Sequence, residues 1–255
     1  MRSTADGFEP EFKDACDGYS ETVAQRSFMQ IDRLARWLHA VVDGVSKLPP
    51  GRALLIASHA FGLDVAFAVA AIRRETGRRV WIMGEHVWCE LSVVRRLGAA
   101  VGTVDGTAAN ADRLLSTDHL VLVLPGGFRE VARSRELSDR VLSGHRYDFA
   151  RAAVRNQAPI VPLVSRGFDD LCGPRDGYER AESSPRRAGV TAPVLSCLLP
   201  NHSARLRCMI GDPISPQFAP QRATDLATVR LVRRQVEDAV YEMLDADSLV
   251  GSASH

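Results

Sequence analysis

ALLIASHAFGLDVAFAVAAI, residues 53–72, is the most apolar stretch of the chain, and how it divides decides the fold. A run of this length is enough to tempt a membrane-spanning assignment. Yet Ser58, His59, Gly62 and Asp64 stand at its middle. They split it into a short strand, Ala53 to Ala57, and a helix, Val65 to Glu75. A short apolar run without polar alternation is what a strand buried on both faces requires. The stretch reads as the centre of a soluble core.

Working outward, the same alternation continues. Arg79 to Met83 predicts a second strand, followed by a helix through Leu97. Ala100 to Val104 predicts a third strand and Ala108 to Leu115 a helix. HLVLVL, His119 to Leu124, is the clearest strand of all. A helix over Tyr147 to Asn156 leads into a strand over Ile160 to Val164. Val194 to Leu199 and Arg205 to Ile210 are candidates to return to the sheet. This βαβ rhythm, without internal repeat, predicts one α/β domain: a mixed, largely parallel sheet with helices on both faces. At 255 residues the chain can bury one such core.

The expected domain spans 21–246, between flexible polar tails at 1–20 and 247–255. It opens with an amphipathic helix over 21–47, ended by Pro49 and Pro50. At about 100° per residue, Phe28, Ile31, Leu34, Ala35, Leu38, Val41, Val42 and Val45 share one face. Arg26, Arg33 and Trp37 fall on the other. A tryptophan beside arginines suits a lipid headgroup layer, and it equally suits a ring covering a neighbouring loop. A helix from Asp225 to Leu244 closes the domain. Gly173 to Pro193, polar and rich in Gly, Pro and Arg, reads as a long loop.

A formal net charge of +1 gives no global field for a polyanion, so nucleic acid is not an expected partner. Arginines do cluster, at 73, 74, 78 and 79, at 95 and 96, and at 129, 133 and 135. They read either as solvated helix ends and turns or as contacts for phosphate or anionic lipid. Five cysteines, an odd number with no C-x-x-C pair, argue against a disulfide framework or a zinc site and for a reducing compartment. The polar, acidic start carries no signal-peptide pattern. A cytoplasmic protein, at the inner membrane face if it meets the bilayer, is the expectation.

Chemistry concentrates at two strand ends. His59 follows the Ala53–Ala57 strand, where open α/β sheets place their ligands. Across the turn at Gly62, Asp64 can fold back onto the imidazole, fix its tautomer and leave the other ring nitrogen as a base. The plainer reading is a structural histidine beside a helix-capping aspartate. After the HLVLVL strand come Pro125, Gly126 and Gly127, a turn that exposes backbone N–H groups, and then Arg129 and Glu130. A guanidinium in such a loop suits phosphate or a developing oxyanion, and Glu130 can hold it by pairing. By itself this segment is also an ordinary turn. No G-x-S-x-G elbow exists. His59 is therefore expected to activate a hydroxyl of the substrate and not one of the protein. His39, His119, His202 and His255 read as fillers, His86 and His145 as supporting residues at most, and no metal site is expected.

These pieces together resemble the glycerolipid acyltransferase superfamily. Its first block, a His, four residues and an Asp, is matched by His59 and Asp64. Its third block is F-P-E-G-T-R-S in the phosphatidic-acid-forming branch. In the branch of diacylglycerol acyltransferases and phytyl ester synthases it is closer to P-G-G-x-x-E, which PGGFRE, Pro125 to Glu130, matches. The fourth block, P-I-V-P, is matched at Pro159 to Pro162. The likeness covers about two-thirds of the chain, including RCMIGDPI from Arg207 to Ile214. Two departures stand out. Ser58 precedes the histidine where many members carry Asn, and the second block, Leu97 to Thr107, holds Asp105 and no arginine.

The resemblance implies acyl transfer from acyl-CoA or acyl carrier protein, as donor substrate and without a cofactor, to a hydroxyl of a lipid acceptor. His59 would be the base and Asp64 its orienter, while Gly126, Gly127, Arg129 and Glu130 would shape the acceptor and oxyanion region. A neutral glycerolipid or alcohol is the favoured acceptor, with lysophosphatidic acid or another lysophospholipid the alternative, since Arg129 could hold a phosphate. A non-catalytic lipid- or CoA-binding protein and a hydrolase are the competing classes.

Overall fold

The computed structural model describes residues 18–57, 63–84, 92–125, 147–168 and 205–252. In chain order these form α1 (Glu21–Trp37), β1 (Val41–Asp43), β2 (Ala53–Ala57), α2 (Leu63–Thr76), β3 (Val80–Gly84), α3 (Ser92–Val101), β4 (Thr103–Asp105), α4 (Ala108–Ser116), β5 (Leu120–Val123), α5 (Asp148–Asn156), β6 (Ile160–Arg166), β7 (Arg207–Ile210) and α6 (Leu226–Ser252). Single 3-10 turns lie at Val45–Lys47 and Pro220–Thr224.

The strands make one seven-stranded sheet in the order β1-β7-β6-β2-β5-β3-β4. Every pair is parallel except β6 with β7. β1 and β7 therefore run against the other five, and the sheet is mixed and largely parallel, as the alternation of apolar runs and helices predicts. β2 occupies the centre, and all five of its residues are buried. Side chains alternate across a strand, so Leu54 and Ile56 enter one apolar layer and Ala53, Leu55 and Ala57 the other. The first layer is closed by α4, α5 and α6, through residues such as Leu114, Val154 and Val236. The second is closed by α1 and α2, through Phe28, Val65, Val69 and Ile72.

Local chemistry sets several element ends. Ser20 caps α1 by accepting from the Val23 amide, and Thr107 caps α4 by accepting from Asn110. Asp225 accepts from the Ala227 amide and the Thr228 hydroxyl at the start of α6. Those hydrogen bonds, Thr228 first, hold the Asp225 carboxyl below the usual range.

Three expectations about the ends need correction. The first helix does not run over 21–47 but stops at Trp37. Ala40 donates to the Ala35 carbonyl and His39 to that of Arg36, with His39 left-handed at φ 53°. This pair of bonds is the Schellman stop. It is usually built on glycine, whereas here it uses a histidine, so the sequence gives no glycine signal. Val41 and Val42 then leave the helical period and pair with β7 as a short edge strand. The leading tail is shorter than 1–20, because Tyr19 stacks against Trp81 with ring centroids 5.6 Å apart and Ser20 caps α1; residues 1–17 lie outside the described residues. The closing helix passes its expected end at Leu244 and runs to Ser252, into the expected tail over 247–255. In the β4 region, Ala100 and Val101 belong to α3, and the strand starts at Thr103.

Candidate active site

From β2 the chain crosses by α2 to β3, beyond β5 on one side. From β5 it crosses by α5 to β6, beyond β2 on the other. α2 and α5 lie on opposite faces. The carboxyl ends of β2 and β5 thus form a topological switch point, the place where open α/β sheets leave a crevice. The two strands are direct neighbours, with Leu55 opposite Leu122 and Ile56 opposite Val123. The segments carrying the two candidate motifs leave the sheet there, side by side.

Asp64 is the one described residue of the candidate set. It lies in the first turn of α2 and is fully buried, the only buried carboxylate among the described residues. A helix start favours a negative charge through its exposed amides. His59, Gly126, Gly127, Arg129 and Glu130 lie outside the described residues, as do His86, His145 and the loop from Gly173 to Pro193. Their described flanks are Ala57 and Leu63 on one side and the buried Pro125 on the other.

Two residues that the sequence did not single out sit under Asp64. Leu163 of β6 is opposite Ala57, so Ser165 and its cross-strand partner Cys208 stand just beyond the end of β2. The Cys208 thiol donates to the Asp64 main-chain carbonyl at 3.5 Å, and the Ser165 hydroxyl lies 3.9 Å from the sulfur. Burial first, and then the Asp64 carboxylate, push the Cys208 thiol up to about 12 against the opposing hydrogen bond from Ser165. Phe67 and Phe168, centroids 5.8 Å apart, complete this floor with Leu38 and Leu206. The sole sequence sign of Cys208 was its place in RCMIGDPI.

Other singled-out residues fall elsewhere. Asp105 ends β4, the outer strand, two places from β5. At about 4.8 Å per strand its backbone stands roughly 10 Å from β5. The arginines at 73, 74, 78 and 79 are structural. Arg73 and Arg79 pair with Glu21, Arg74 with Asp32, and Arg78 donates to the carbonyls of Pro49 and Gly51. Arg79 also covers the Tyr19 ring at 3.6 Å. His119 meets the Trp81 ring edge-on, and burial, followed by the charge of Arg79, lowers its pKa. Among the described residues no helix is long and apolar enough to cross a membrane.

Residues 39–166, half of the chain, match the Acyltransferase family model. A mouse protein named "DGAT1/2-independent enzyme synthesizing storage lipids" is 28% identical over 239 residues, covering 90% of this chain and 66% of its own length. Its human counterpart is 28% identical over 240 residues, covering 90% and 67%. The chain thus spans about two-thirds of these relatives. The crystal structure of 1-acyl-sn-glycerophosphate (LPA) acyltransferase, PlsC, from Thermotoga maritima aligns with 84% of this chain and 79% of that one, at 17% identity and a TM-score of 0.49. The chain belongs to the Acyltransferase family.

Proposed function

We propose that this acyltransferase moves a fatty acyl group from a thioester, acyl-CoA or acyl carrier protein, to the hydroxyl of a neutral lipid. The observation that carries the reading is the burial of Asp64 at the start of α2, at the switch point between β2 and β5. His59, two residues past the end of β2, takes the proton of the acceptor hydroxyl. The oxygen attacks the thioester carbonyl, and the developing oxyanion is met by the amides of Gly126 and Gly127. The C–S bond breaks, and the thiolate leaves with the proton held on His59. Asp64 orients the imidazole and stabilises its cationic form. Arg129 and Glu130 flank the acceptor. The PGGFRE segment and the storage-lipid name of the mammalian relatives favour a neutral acceptor.

The test is lipid product analysis by mass spectrometry, with purified protein, one acyl-CoA and either diacylglycerol or lysophosphatidic acid. Esterified neutral lipid formed by the parent and absent with His59→Ala is the expected result. Thioester hydrolysis alone would make the protein a hydrolase. Lysophosphatidic acid as second reading rests on Arg129, and loss of its acylation in Arg129→Ala would establish it.

A further inference from the structure

We infer that the outer face of α6 is the interface of a two-fold dimer in which two copies of this helix pack antiparallel. The inner face of α6 is occupied by the core, where Val229, Val232, Val236 and Val240 are buried. On the opposite face Ala227, Leu231, Arg234, Asp238, Tyr241 and Asp245 recur at alternating steps of four and three residues. That is the spacing of a coiled-coil seam. All six are exposed, Leu231 at 46% and Tyr241 at 41%. A helix that only roofs a core is polar on this side, whereas α6 sets a leucine and a tyrosine there. From Ala227 to Asp245 the seam is about 27 Å long.

The order of residues along the seam selects its occupant. In a two-fold interface, if one residue faces a second on the other copy, the second faces the first in return. With the axis at the level of Val236, Arg234 faces Asp238 of the second copy, Leu231 its Tyr241 and Ala227 its Asp245, and each pair occurs twice. Two charge pairs at the axis are thus bracketed by two apolar layers. A polar layer in such a seam fixes register and orientation. Parallel packing would set Arg234 against Arg234 and Asp238 against Asp238, a repulsive arrangement. Among the described residues, Arg234 and Asp238 form no ion pair with each other, whereas Arg233 and Glu237 on the neighbouring row do. Arg233 also covers the Tyr147 ring at 5.4 Å. One row therefore serves the fold and the next is left for a partner. An anionic bilayer is the poorer occupant, since the exposed Asp238, Glu242 and Asp245 would face it.

The test is sedimentation equilibrium of the full chain and does not depend on the acyl-transfer reading. One pair of helices is a small interface, so the parent should pass reversibly from monomer to dimer between about 1 and 300 µM. Leu231→Ser/Tyr241→Ser should weaken the dimer at least about ten-fold. Arg234→Asp and Asp238→Arg, which each set like charges across the axis, should weaken it at least about a hundred-fold. All four positions are exposed, so every variant should melt like the parent. An equimolar mixture of the Arg234→Asp and Asp238→Arg chains should dimerise again, because an acid then faces an arginine in both central pairs. The chain carrying Arg234→Asp/Asp238→Arg together should dimerise with itself for the same reason. Damage to the fold of either variant could not produce that recovery. A parent that stays monomeric over the whole range would overturn the inference. So would a parent dimer that neither charge reversal weakens, or a mixture that remains monomeric.

Discussion

The Cys208 thiol, on the antiparallel strand β7, donates to the main-chain carbonyl of Asp64 in the first turn of α2. The bond ties the sheet to the turn that carries the candidate orienting carboxylate. It also places a buried thiol beside a negative charge, and this has a measurable result. In the folded chain the thiol is pushed from 9.0 up to about 12. The folded state thus keeps a proton that the unfolded state loses above pH 9. Stability from this source is present below pH 9 and is lost as pH rises toward 12, by at most about 1.4 kcal/mol per pH unit. Urea denaturation from pH 8 to 10.5 should fall more steeply for the parent than for Cys208→Ala. Equal slopes would show that the thiol does not feel this environment. At neutral pH, Cys208 should also resist alkylation in the folded protein, as read by peptide mass mapping.

Asp64→Asn separates a working carboxylate from a cap. Asparagine keeps the shape of aspartate and loses only the attraction of its charge to the helix start, about 0.3–1 kcal/mol, so a purely structural Asp64 would leave the turnover of the folded variant near the parent's. An orienting carboxylate would not, because the amide neither fixes the tautomer nor balances an imidazolium. The expected result is a folded variant with turnover lowered by about 10²–10⁴-fold, similar to His59→Ala. Near-parental turnover in Asp64→Asn would remove Asp64 from the mechanism.

The interior of this fold was legible because its strands are buried on both faces. ALLIA and LVLV carry no polar residue that could confuse the period, and they form the central strand of the sheet and its neighbour. The position of Asp64 was legible for the same reason, since the helix had to restart after Gly62. What the sequence concealed depends on long-range pairing. Val41 to Asp43 continues the helical apolar period of α1 and becomes a strand only because β7 offers it an edge. Cys208 and Ser165 come under Asp64 through the reversed direction of β7, which a parallel rhythm does not foretell. The separation of Asp105 from β5 was likewise hidden, because strand order and not sequence distance sets it.

His39 tests the stop between α1 and β1. It holds φ 53° while exposed, in a region that costs a non-glycine residue about 1–2 kcal/mol. Glycine relieves this strain but adds freedom to the unfolded chain. His39→Gly should therefore stabilise the protein by about 0.5–1 kcal/mol in urea denaturation, with circular dichroism unchanged. A loss of stability would mean that the helix continues past Trp37 and the turn is not left-handed.

Acceptor choice depends less on Asp105 than its place in the second block suggests. If an acceptor phosphate lay at the end of β5, the strand spacing would keep the Asp105 carboxylate roughly 10 Å away, and at that distance a phosphomonoester of nearly two charges is repelled by about 0.8 kcal/mol in water before screening. With a Debye length of about 8 Å at physiological ionic strength, only about 0.2–0.3 kcal/mol remains. That corresponds to less than about a two-fold change in preference. Asp105→Asn should thus leave the ratio of diacylglycerol to lysophosphatidic acid turnover within about two-fold of the parent. Arg129 is a different matter, since a guanidinium that touches a phosphate contributes through direct charge-assisted hydrogen bonds. If the acceptor is neutral, Arg129→Ala should lower turnover of both acceptors alike or not at all. Selective loss of lysophosphatidic acid turnover in Arg129→Ala would assign Arg129 to an acceptor phosphate. A ratio shifted more than ten-fold by Asp105→Asn would instead place that carboxylate within contact of the acceptor, against the strand order of the sheet.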